Sequence, residues 1–280
     1  MSDGNETQES KPGAVLIGFL VLLVGEVIIL ANSGVSIPTI LPEPVSTYAE
    51  NVDRLFFVIL WIVGFFFVLT QGLLIYFLVK YRARKGGKAR HTHGSHTLEL
   101  VWTFVPGLIL FCLAVFQTGT WGMIKFGGNI AEKAADPLAV HVQVFGKQFE
   151  WHFRYAGKDD QFGTKDDVIK VAEMHAPADR PVIVHLQTLD VLHSFWLPNA
   201  RLKQDLMPGR TILQWFEITK HGKYPIVCAE LCGSMHTTMK GSLIVESDED
   251  FDAWLEKQGK LTYPHEPERH DVWRFWRQEP

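Results

Sequence analysis

The stretch KYPIVCAELCGSMHTTMKGSLIVE, residues 223–246, decides the fold of the C-terminal part of the chain. Its two ends, KYPIVC and KGSLIVE, have the composition of strands, and Gly233 lies in the segment between them. Cys228, Cys232 and His236 recur at a spacing that would also place them on one face of a helix. The strand-like flanks favour a loop between two strands, where the side chains can converge on one point.

This loop carries the donor atoms of a soft-metal site. A disulfide between Cys228 and Cys232 would leave His236 and Met239 unexplained, and the thioether of Met239 is a poor ligand for zinc. Thiolate, imidazole and thioether together favour copper. A blue copper site uses one cysteine, so the second cysteine is explained most simply if both sulfurs bridge two copper ions.

A second imidazole is needed to complete a site for two copper ions. His193 lies at the end of a predicted strand, ahead of a loop that contains proline, whereas His185 lies inside an alternating strand. We therefore expect His193 to be the additional ligand and His185 to be an ordinary strand residue.

Short alternating segments separated by Gly, Pro, Asp and Asn fill the rest of residues 125–260. They are LAVHVQVFG, FEWHFRYAG, RPVIVHLQT, LQWFEI, YPIVCAE and KGSLIVE. This pattern predicts an antiparallel β-sandwich or barrel, and DEDFDAWLEKQGK predicts a short helix after it. The net charge of −4 gives no support for binding of nucleic acid.

Three apolar runs precede this domain. The runs at residues 55–79 and 100–123 exceed the roughly 20 residues that a helix needs to cross a bilayer, and a spanning helix tolerates Pro106. The run at residues 14–31 is shorter and contains Glu26, so a cleaved signal competes with an uncleaved helix. We therefore predict a membrane-anchored all-β protein with two or three N-terminal transmembrane helices.

The loop between the second and third runs, KYRARKGGKARHTHGSH, is basic. Short basic loops stay in the cytoplasm, so the C-terminal domain is predicted to lie outside it. His91, His93 and His96 belong to this loop and are interpreted as solvated histidines. The predicted segments are an apolar segment or signal (1–33), a transmembrane helix (54–80), a basic cytoplasmic loop (81–98), a second transmembrane helix (99–124), an extracytoplasmic copper domain (125–260) and a tail (261–280).

Two parts of the chain strongly resemble the subunit II family of cytochrome c oxidase, a haem-copper terminal oxidase. The first part contains DVLHSFWLP and LKQDLMPGR, and the second is CAELCGSMHTTMKGSLIV. The resemblance covers roughly residues 53–246 and implies a cupredoxin-like β-barrel with a dinuclear copper A centre. It implies that the cysteines bridge the coppers, that each histidine binds one copper, and that a thioether and a backbone carbonyl complete the sites. The implied ligands are His193, Cys228, the carbonyl of Glu230, Cys232, His236 and Met239.

The resemblance implies three further roles. The carboxylate of Glu230 would reach a magnesium or manganese ion at the contact with subunit I. Glu99, in HTLELVWTFVP, would lie at the entrance of a proton path into subunit I, although an interfacial carboxylate is the alternative. In GKQFEWHFRY, Phe149 stands where the family commonly has the tryptophan that takes electrons from cytochrome c, and Trp151 is retained. The donor is therefore cytochrome c, a membrane-attached cytochrome or a dedicated partner complex.

The function implied is that of the electron-accepting subunit of a respiratory terminal oxidase. Electrons from a cytochrome c-type donor would pass from copper A to haem in subunit I, where oxygen is reduced and protons are pumped. The location implied is the inner membrane of a bacterium, with the copper domain in the periplasm and other oxidase subunits as partners. The copper A subunit of a nitric oxide reductase is the alternative, followed by a copper chaperone or assembly protein; a quinol oxidase homologue is disfavoured because every copper ligand is present.

Overall fold

The structure, a computed structural model, describes residues 40–260 apart from 89, 90, 92, 158 and 160. The N-terminal segment predicted at 1–33 and the tail at 261–280 lie outside the described residues. The chain divides into two compact units. One contains Leu55–Phe111, and the other contains Pro42–Arg54 together with the chain from Cys112 onwards.

Two helices are long and apolar enough to cross a membrane, and none of the residues in their apolar windows is buried within the protein. They are α1 (Ala49–Lys80) and α2 (His96–Lys125), and the short helix α3 (Gly127–Ala134) follows. Both long helices begin before the apolar runs that predicted them, because a helix continues into polar residues beyond the lipid. Glu50 in the first turn of α1 and Lys80 in its last turn suit the helix dipole.

The second unit is a β-sandwich of two five-stranded sheets. The strands are β1 (Val140–Lys147), β2 (Glu150–Tyr155), β3 (Val168–Val171), β4 (Glu173–Pro177), β5 (Val182–Thr188), β6 (His193–Leu197), β7 (Leu202–Leu206), β8 (Ile212–Phe216), β9 (Gly222–Cys228) and β10 (Lys240–Glu246). The first sheet has the order β3-β2-β1-β5-β8, and the second has the order β4-β10-β9-β6-β7. Large buried side chains from both sheets form one core, including Trp151, Phe153, Phe195 and Leu243.

The expectation of a purely antiparallel sandwich is wrong in two places. Strand β1 pairs with β5 in parallel, and β10 pairs with β4 in parallel. A parallel pair needs a long crossover, and the chain between β1 and β5 supplies one because it contains β2, β3 and β4. The sandwich therefore closes through strands that are distant in sequence.

Strands β3, β4, β6 and β7 were not among the six predicted segments, although a strand end was predicted at His193 in β6. Strand β3 is only four residues long, and β7, with the sequence LKQDL, is largely polar. Neither shows an alternating pattern over enough residues to indicate a strand. The predicted helix after the sandwich is confirmed as α4 (Asp248–Lys260), and the hydroxyl of Ser247 accepts a hydrogen bond from the Asp250 amide at its start.

Three strand ends meet at one end of the second sheet. Cys228 is the last residue of β9, His193 is the first residue of β6, and β10 begins directly after Met239. Strands β6 and β9 are antiparallel neighbours, with Phe195 opposite Cys228. The backbone amide of Cys228 donates to the carbonyl of Met239, which closes the loop between β9 and β10.

At the opposite end of β10, aromatic residues hold α4 against the sandwich. The ring of Trp254 stacks on the ring of His175 with a centroid distance of 4.0 Å. The Nδ1 atom of His175 lies 3.2 Å from a carboxylate oxygen of Glu246. The hydroxyl of Tyr155 accepts from the amide of His175 and donates to its carbonyl, both at 2.7 Å.

Candidate metal centre

The sulfur atoms of Cys228 and Cys232 lie 3.8 Å apart. This separation is well beyond the S–S bond length of about 2.05 Å, so the two thiols are not bonded to each other. The Nδ1 atom of His193 lies 3.8 Å from the sulfur of Cys228, and the Nδ1 atom of His236 lies 3.6 Å from the sulfur of Cys232. Each sulfur therefore has an imidazole of its own.

Two weaker donors complete the cluster. The backbone oxygen of Glu230 lies 3.3 Å from the sulfur of Cys228, and the thioether sulfur of Met239 lies 3.8 Å from the sulfur of Cys232. The loop places its donors as predicted from the sequence: they converge, and no helix aligns them, since the only regular turn is the 3-10 helix His236–Thr238. All six residues that the resemblance names as copper ligands are thus brought together.

The donor set fits a bound metal. Metal–sulfur and metal–nitrogen bonds of about 2.0–2.3 Å place neighbouring donors of one tetrahedral ion roughly 3.3–3.8 Å apart. The separations from Cys228 and Cys232 to their neighbours span this range, from 3.3 to 3.8 Å. Among the described residues, His193 and the two cysteines form the one cluster of three classical ligands close enough to share an ion. Soft sulfur with imidazole suits copper.

The electrostatics of the site favour ionisation of one thiol. Burial opposes ionisation of Cys228, but its contacts with His193, with backbone groups and with His236 outweigh burial and lower its pKa to about 6. Burial and the neighbouring Cys228 raise the pKa of Cys232 to about 11. Burial would lower the pKa of His193, but its bonds to Cys228 and Asp190 raise it. At neutral pH the site therefore presents a thiolate to a soft metal.

Asp190 contacts the cluster and was not singled out by the sequence analysis. Its carboxylate accepts a hydrogen bond from Nε2 of His193 at 2.8 Å and another from the amide of Gln148 at 2.7 Å. Burial opposes its ionisation, but these bonds lower the pKa of Asp190. Its position three residues before His193 is a signal that could have been used, because a ligand histidine commonly has a carboxylate partner.

Two glycines allow close approach to the donors. A Cβ atom on Gly146 would lie 2.9 Å from the imidazole of His193. Gly233 has φ +141°, and a Cβ atom there would lie 2.8 Å from the side-chain nitrogen of Gln148 and 3.0 Å from the ring of Phe149. Phe149 and Gln148 therefore pack directly against the backbone of the metal loop.

The other predicted site residues lie in different settings. Trp151 is fully buried, and its ring makes edge contacts with the rings of His193 at 6.1 Å and Phe195 at 5.5 Å. Phe149 is half-buried against the core. Glu99 lies in the first turn of α2, where its carboxylate is 3.1 Å from Nδ1 of His96.

The histidines of the basic loop are exposed, as predicted. His91 and His93 lie edge to face with ring centroids 5.0 Å apart, and both are open to solvent. His185, interpreted as an ordinary strand residue, lies in β5 with its Nε2 atom 3.1 Å from Nδ1 of His141. None of these four side chains belongs to the metal cluster.

Comparison with known families matches both parts of the chain. The family described as the periplasmic domain of cytochrome c oxidase subunit II matches residues 140–247. The family described as the transmembrane domain of cytochrome c oxidase subunit II matches residues 35–118. Together these matches cover α1, most of α2 and all ten strands of the sandwich.

Several curated proteins are similar over most of the chain. Cytochrome c oxidase subunit 2 of Synechocystis sp. is 31% identical, covering 87% of this chain and 82% of that protein. The alternative cytochrome c oxidase subunit 2 of Bradyrhizobium diazoefficiens is 30% identical, covering 77% and 83%. A solved structure of the periplasmic domain of cytochrome oxidase subunit II from Bradyrhizobium japonicum is 27% identical, with a TM-score of 0.40, covering 44% of this chain and 96% of that one.

Proposed function

Because the chain belongs to the subunit II family of cytochrome c oxidase, we propose that it accepts electrons at a dinuclear copper A centre and passes them to haem in subunit I. The protein is a membrane-anchored subunit of a haem-copper oxidase, with a cupredoxin-like sandwich after its two apolar helices. The observation that carries the proposal is the paired arrangement of Cys228 and Cys232, 3.8 Å apart and each with its own imidazole.

The residues of the site have distinct parts in this function. Cys228 and Cys232 would bridge the two coppers, His193 and His236 would each hold one, and the weaker donors would complete them. When bound, the pair of coppers carries one electron at a time and spreads the change of charge over both metals. Three neighbouring strands of one sheet, β10, β9 and β6, anchor the ligands, which keeps them in place when the charge changes. Relatives named as cytochrome c oxidase subunits do not favour a nitric oxide reductase or a copper chaperone.

Metal analysis of the purified intact complex tests this proposal. We expect two coppers for each copy of this chain, together with haem from subunit I. One copper per chain, or zinc in place of copper, would contradict the dinuclear assignment. The same preparation gives the haem type and shows whether oxygen is the substrate that the complex reduces.

The side that receives electrons is proposed to be the face around Phe149. Trp151 follows Phe149 by two residues and is fully buried, so it cannot touch a donor protein. Its ring contacts the ring of His193. Phe149 is half-buried and packs on the loop beside Cys232. Oxidation rates measured with soluble cytochrome c and with a membrane-attached cytochrome, for the native chain and for Phe149→Trp, distinguish the two classes of donor. Equal rates for all combinations would remove Phe149 from this role.

Two carboxylates are proposed to act at subunit I. Glu99, in the first turn of α2, would lead protons towards subunit I, and Glu99→Gln should slow turnover of the assembled complex. Unchanged turnover would remove that role. Glu230 turns its backbone oxygen to Cys228, and its carboxylate would bind magnesium or manganese shared with subunit I. Glu230→Gln should release that ion while both coppers remain, which metal analysis measures.

The proposed location is the inner membrane of a bacterium, with the sandwich in the periplasm. The basic segment between α1 and α2 supports it, because short basic loops remain in the cytoplasm. Protease added to intact spheroplasts should cut the sandwich and spare the basic loop. Cleavage of the sandwich only after lysis of the spheroplasts would show that the orientation is the opposite of the one proposed.

A further inference from the structure

A series of hydrogen bonds that passes through residues outside the metal cluster connects two of the metal donors. Nε2 of His193 donates to Oδ1 of Asp190 at 2.8 Å. The other carboxylate oxygen of Asp190 accepts from the backbone amide of Gln148 at 2.7 Å. The side-chain amide of Gln148 then donates to the backbone oxygen of Cys232 at 2.5 Å. Asp190 and Gln148 therefore form a bridge from an imidazole donor to the backbone of a thiol donor.

The first half of the bridge determines how His193 faces the site. A carboxylate can only accept a hydrogen bond, so its contact with Nε2 keeps the proton on that nitrogen. The lone pair of the neutral ring is then on Nδ1, the atom that lies 3.8 Å from the sulfur of Cys228. Asp190 thus selects both the tautomer and the orientation that a metal ligand requires.

The second half of the bridge holds the loop. The amide of Gln148 reaches the carbonyl of Cys232 because Gly233, the next residue, has no side chain to block it. A bond to this carbonyl fixes the backbone that carries the Cys232 sulfur. The residue after Gln148 is Phe149, and its ring packs on the same glycine.

We propose that Asp190 and Gln148 are positioning residues of the copper centre, which fix His193 and Cys232 together. Without the bridge, the imidazole can rotate and the loop backbone can shift independently, and each movement weakens the hold on the metal. This inference rests on the proposed copper centre. It adds two residues, from the turn after β1 and the loop before β6, to a ligand set supplied by β6 and the β9–β10 loop.

The test uses the full chain in the purified intact complex. The variants are Asp190→Ala, Asp190→Asn, Gln148→Ala and the control Glu246→Gln, which alters a second carboxylate–histidine pair at the far end of β10. Copper content, the rate of copper loss to a Cu(I) chelator, the electron paramagnetic resonance spectrum and the reduction potential of the centre are measured for each.

Asp190→Ala should lose copper about 10–100 times faster than the native chain, as expected when the partner of a ligand histidine is removed. Asp190→Asn keeps one oxygen that can accept from His193, loses the second acceptor for the Gln148 amide and removes a negative charge, so it should retain copper with a raised reduction potential. Gln148→Ala should lose copper several-fold faster and alter the copper spectrum. Glu246→Gln should match the native chain in every measurement.

The inference is overturned if the native chain holds two coppers and the three bridge variants show the same rate of copper loss, the same spectrum and the same reduction potential as the native chain. Equal effects of Asp190→Ala and Glu246→Gln would also overturn it, because the effect would then be general. If Asp190→Ala does not assemble, Asp190→Asn and Gln148→Ala decide the question. A native chain without two coppers contradicts the proposed function instead, so the two failures are distinguishable.

Discussion

Each end of the second sheet carries a carboxylate beside a histidine, but the two histidines have different surroundings. At one end, Asp190 lies 2.8 Å from Nε2 of His193, and the other ring nitrogen faces a thiol. At the opposite end, Glu246 lies 3.2 Å from Nδ1 of His175. There the other ring nitrogen faces the carboxylate of Glu173 at 3.8 Å, and Trp254 covers the ring.

The difference shows that a buried carboxylate–histidine pair does not by itself indicate a metal site. What matters is the group that meets the second nitrogen. Sulfur donors near His193 give it the surroundings of a metal ligand, whereas the indole over His175 makes that ring part of the packing that holds α4. A seven-residue strand at about 3.3 Å per residue separates these ends by roughly 20 Å, so each can be changed without touching the other.

The largest effect is expected from Cys228→Ser. A hydroxyl is a harder donor than a thiolate, so the centre should no longer hold two coppers and the absorbance of the dinuclear centre should be lost. The unfolding temperature of the metal-free chain should change little, because the substitution preserves size at the edge of the sandwich. The control is Cys112→Ser on α2, whose exposed thiol should be replaceable without loss of copper. Two coppers in Cys228→Ser would show that the sulfur donors do not distinguish the His193 end of the sheet from the His175 end.

Trp254→Ala should give the reverse pattern. It removes ring contacts with His175, Tyr155 and Phe251, at centroid distances of 4.0, 5.2 and 5.8 Å. For a half-buried aromatic this should lower the free energy of unfolding by about 2–3 kcal/mol. Copper content and reduction potential should remain those of the native chain. Thermal unfolding in detergent measures the loss, and Lys257→Ala on the exposed side of α4 is the control.

Gly233→Ala sharpens the comparison by disturbing the metal end alone. Its φ of +141° is unfavourable for alanine, and the new Cβ would lie 2.8–3.0 Å from Gln148 and Phe149. We expect a loss of about 2 kcal/mol in stability and a changed copper spectrum. Gly209→Ala has φ +72° and no atom within 4 Å of its Cβ, so it should cost only about 1 kcal/mol and leave the spectrum unchanged. Identical spectra for both variants would show that the Gln148 contact has no influence on the metal.

A histidine without a carboxylate gives the smallest effect. Burial and the neighbouring His141 lower the pKa of His185 from 6.5 to about 4. Between these values the unfolded chain binds a proton that the folded chain does not, so stability falls as the pH falls through this window. The ring is partly exposed, so the loss should be on the order of 1 kcal/mol. Chemical unfolding at pH 4 and pH 7 measures it, and His185→Gln should reduce the difference; an unchanged difference would exclude His185 as its source.

The sequence alone indicated the residues that converge at the cluster better than the parts of the chain that hold them. Five of the six donor residues lie within one twelve-residue loop, and His193 was recognisable at a strand end. Gln148 bonds to Cys232, 84 residues away, and nothing near Gln148 in the sequence indicates that contact. Asp190 bonds to Gln148 across 42 residues, so its role becomes visible only after the sheets pack.

The same limit applies to the fold. Alternating residues indicated six strands and the sandwich they form, because that pattern is local. The parallel pairs of β1 with β5 and of β10 with β4 depend on long-range contacts, and short or polar strands such as β3 and β7 lack a local pattern. His175 and Trp254 meet for the same reason, since one lies in β4 and the other in α4.

The short pairing of β6 with β9 has a consequence for how the protein is made. Only Phe195 with Cys228 and Trp196 with Val227 join these strands, and they bring together donors that are 35 residues apart. Contacts so distant in sequence form slowly and late. A newly synthesised chain therefore has no complete site to offer until its second sheet has assembled. In a refolding experiment, the rate of copper uptake should follow the formation of that sheet and become independent of copper concentration when copper is plentiful.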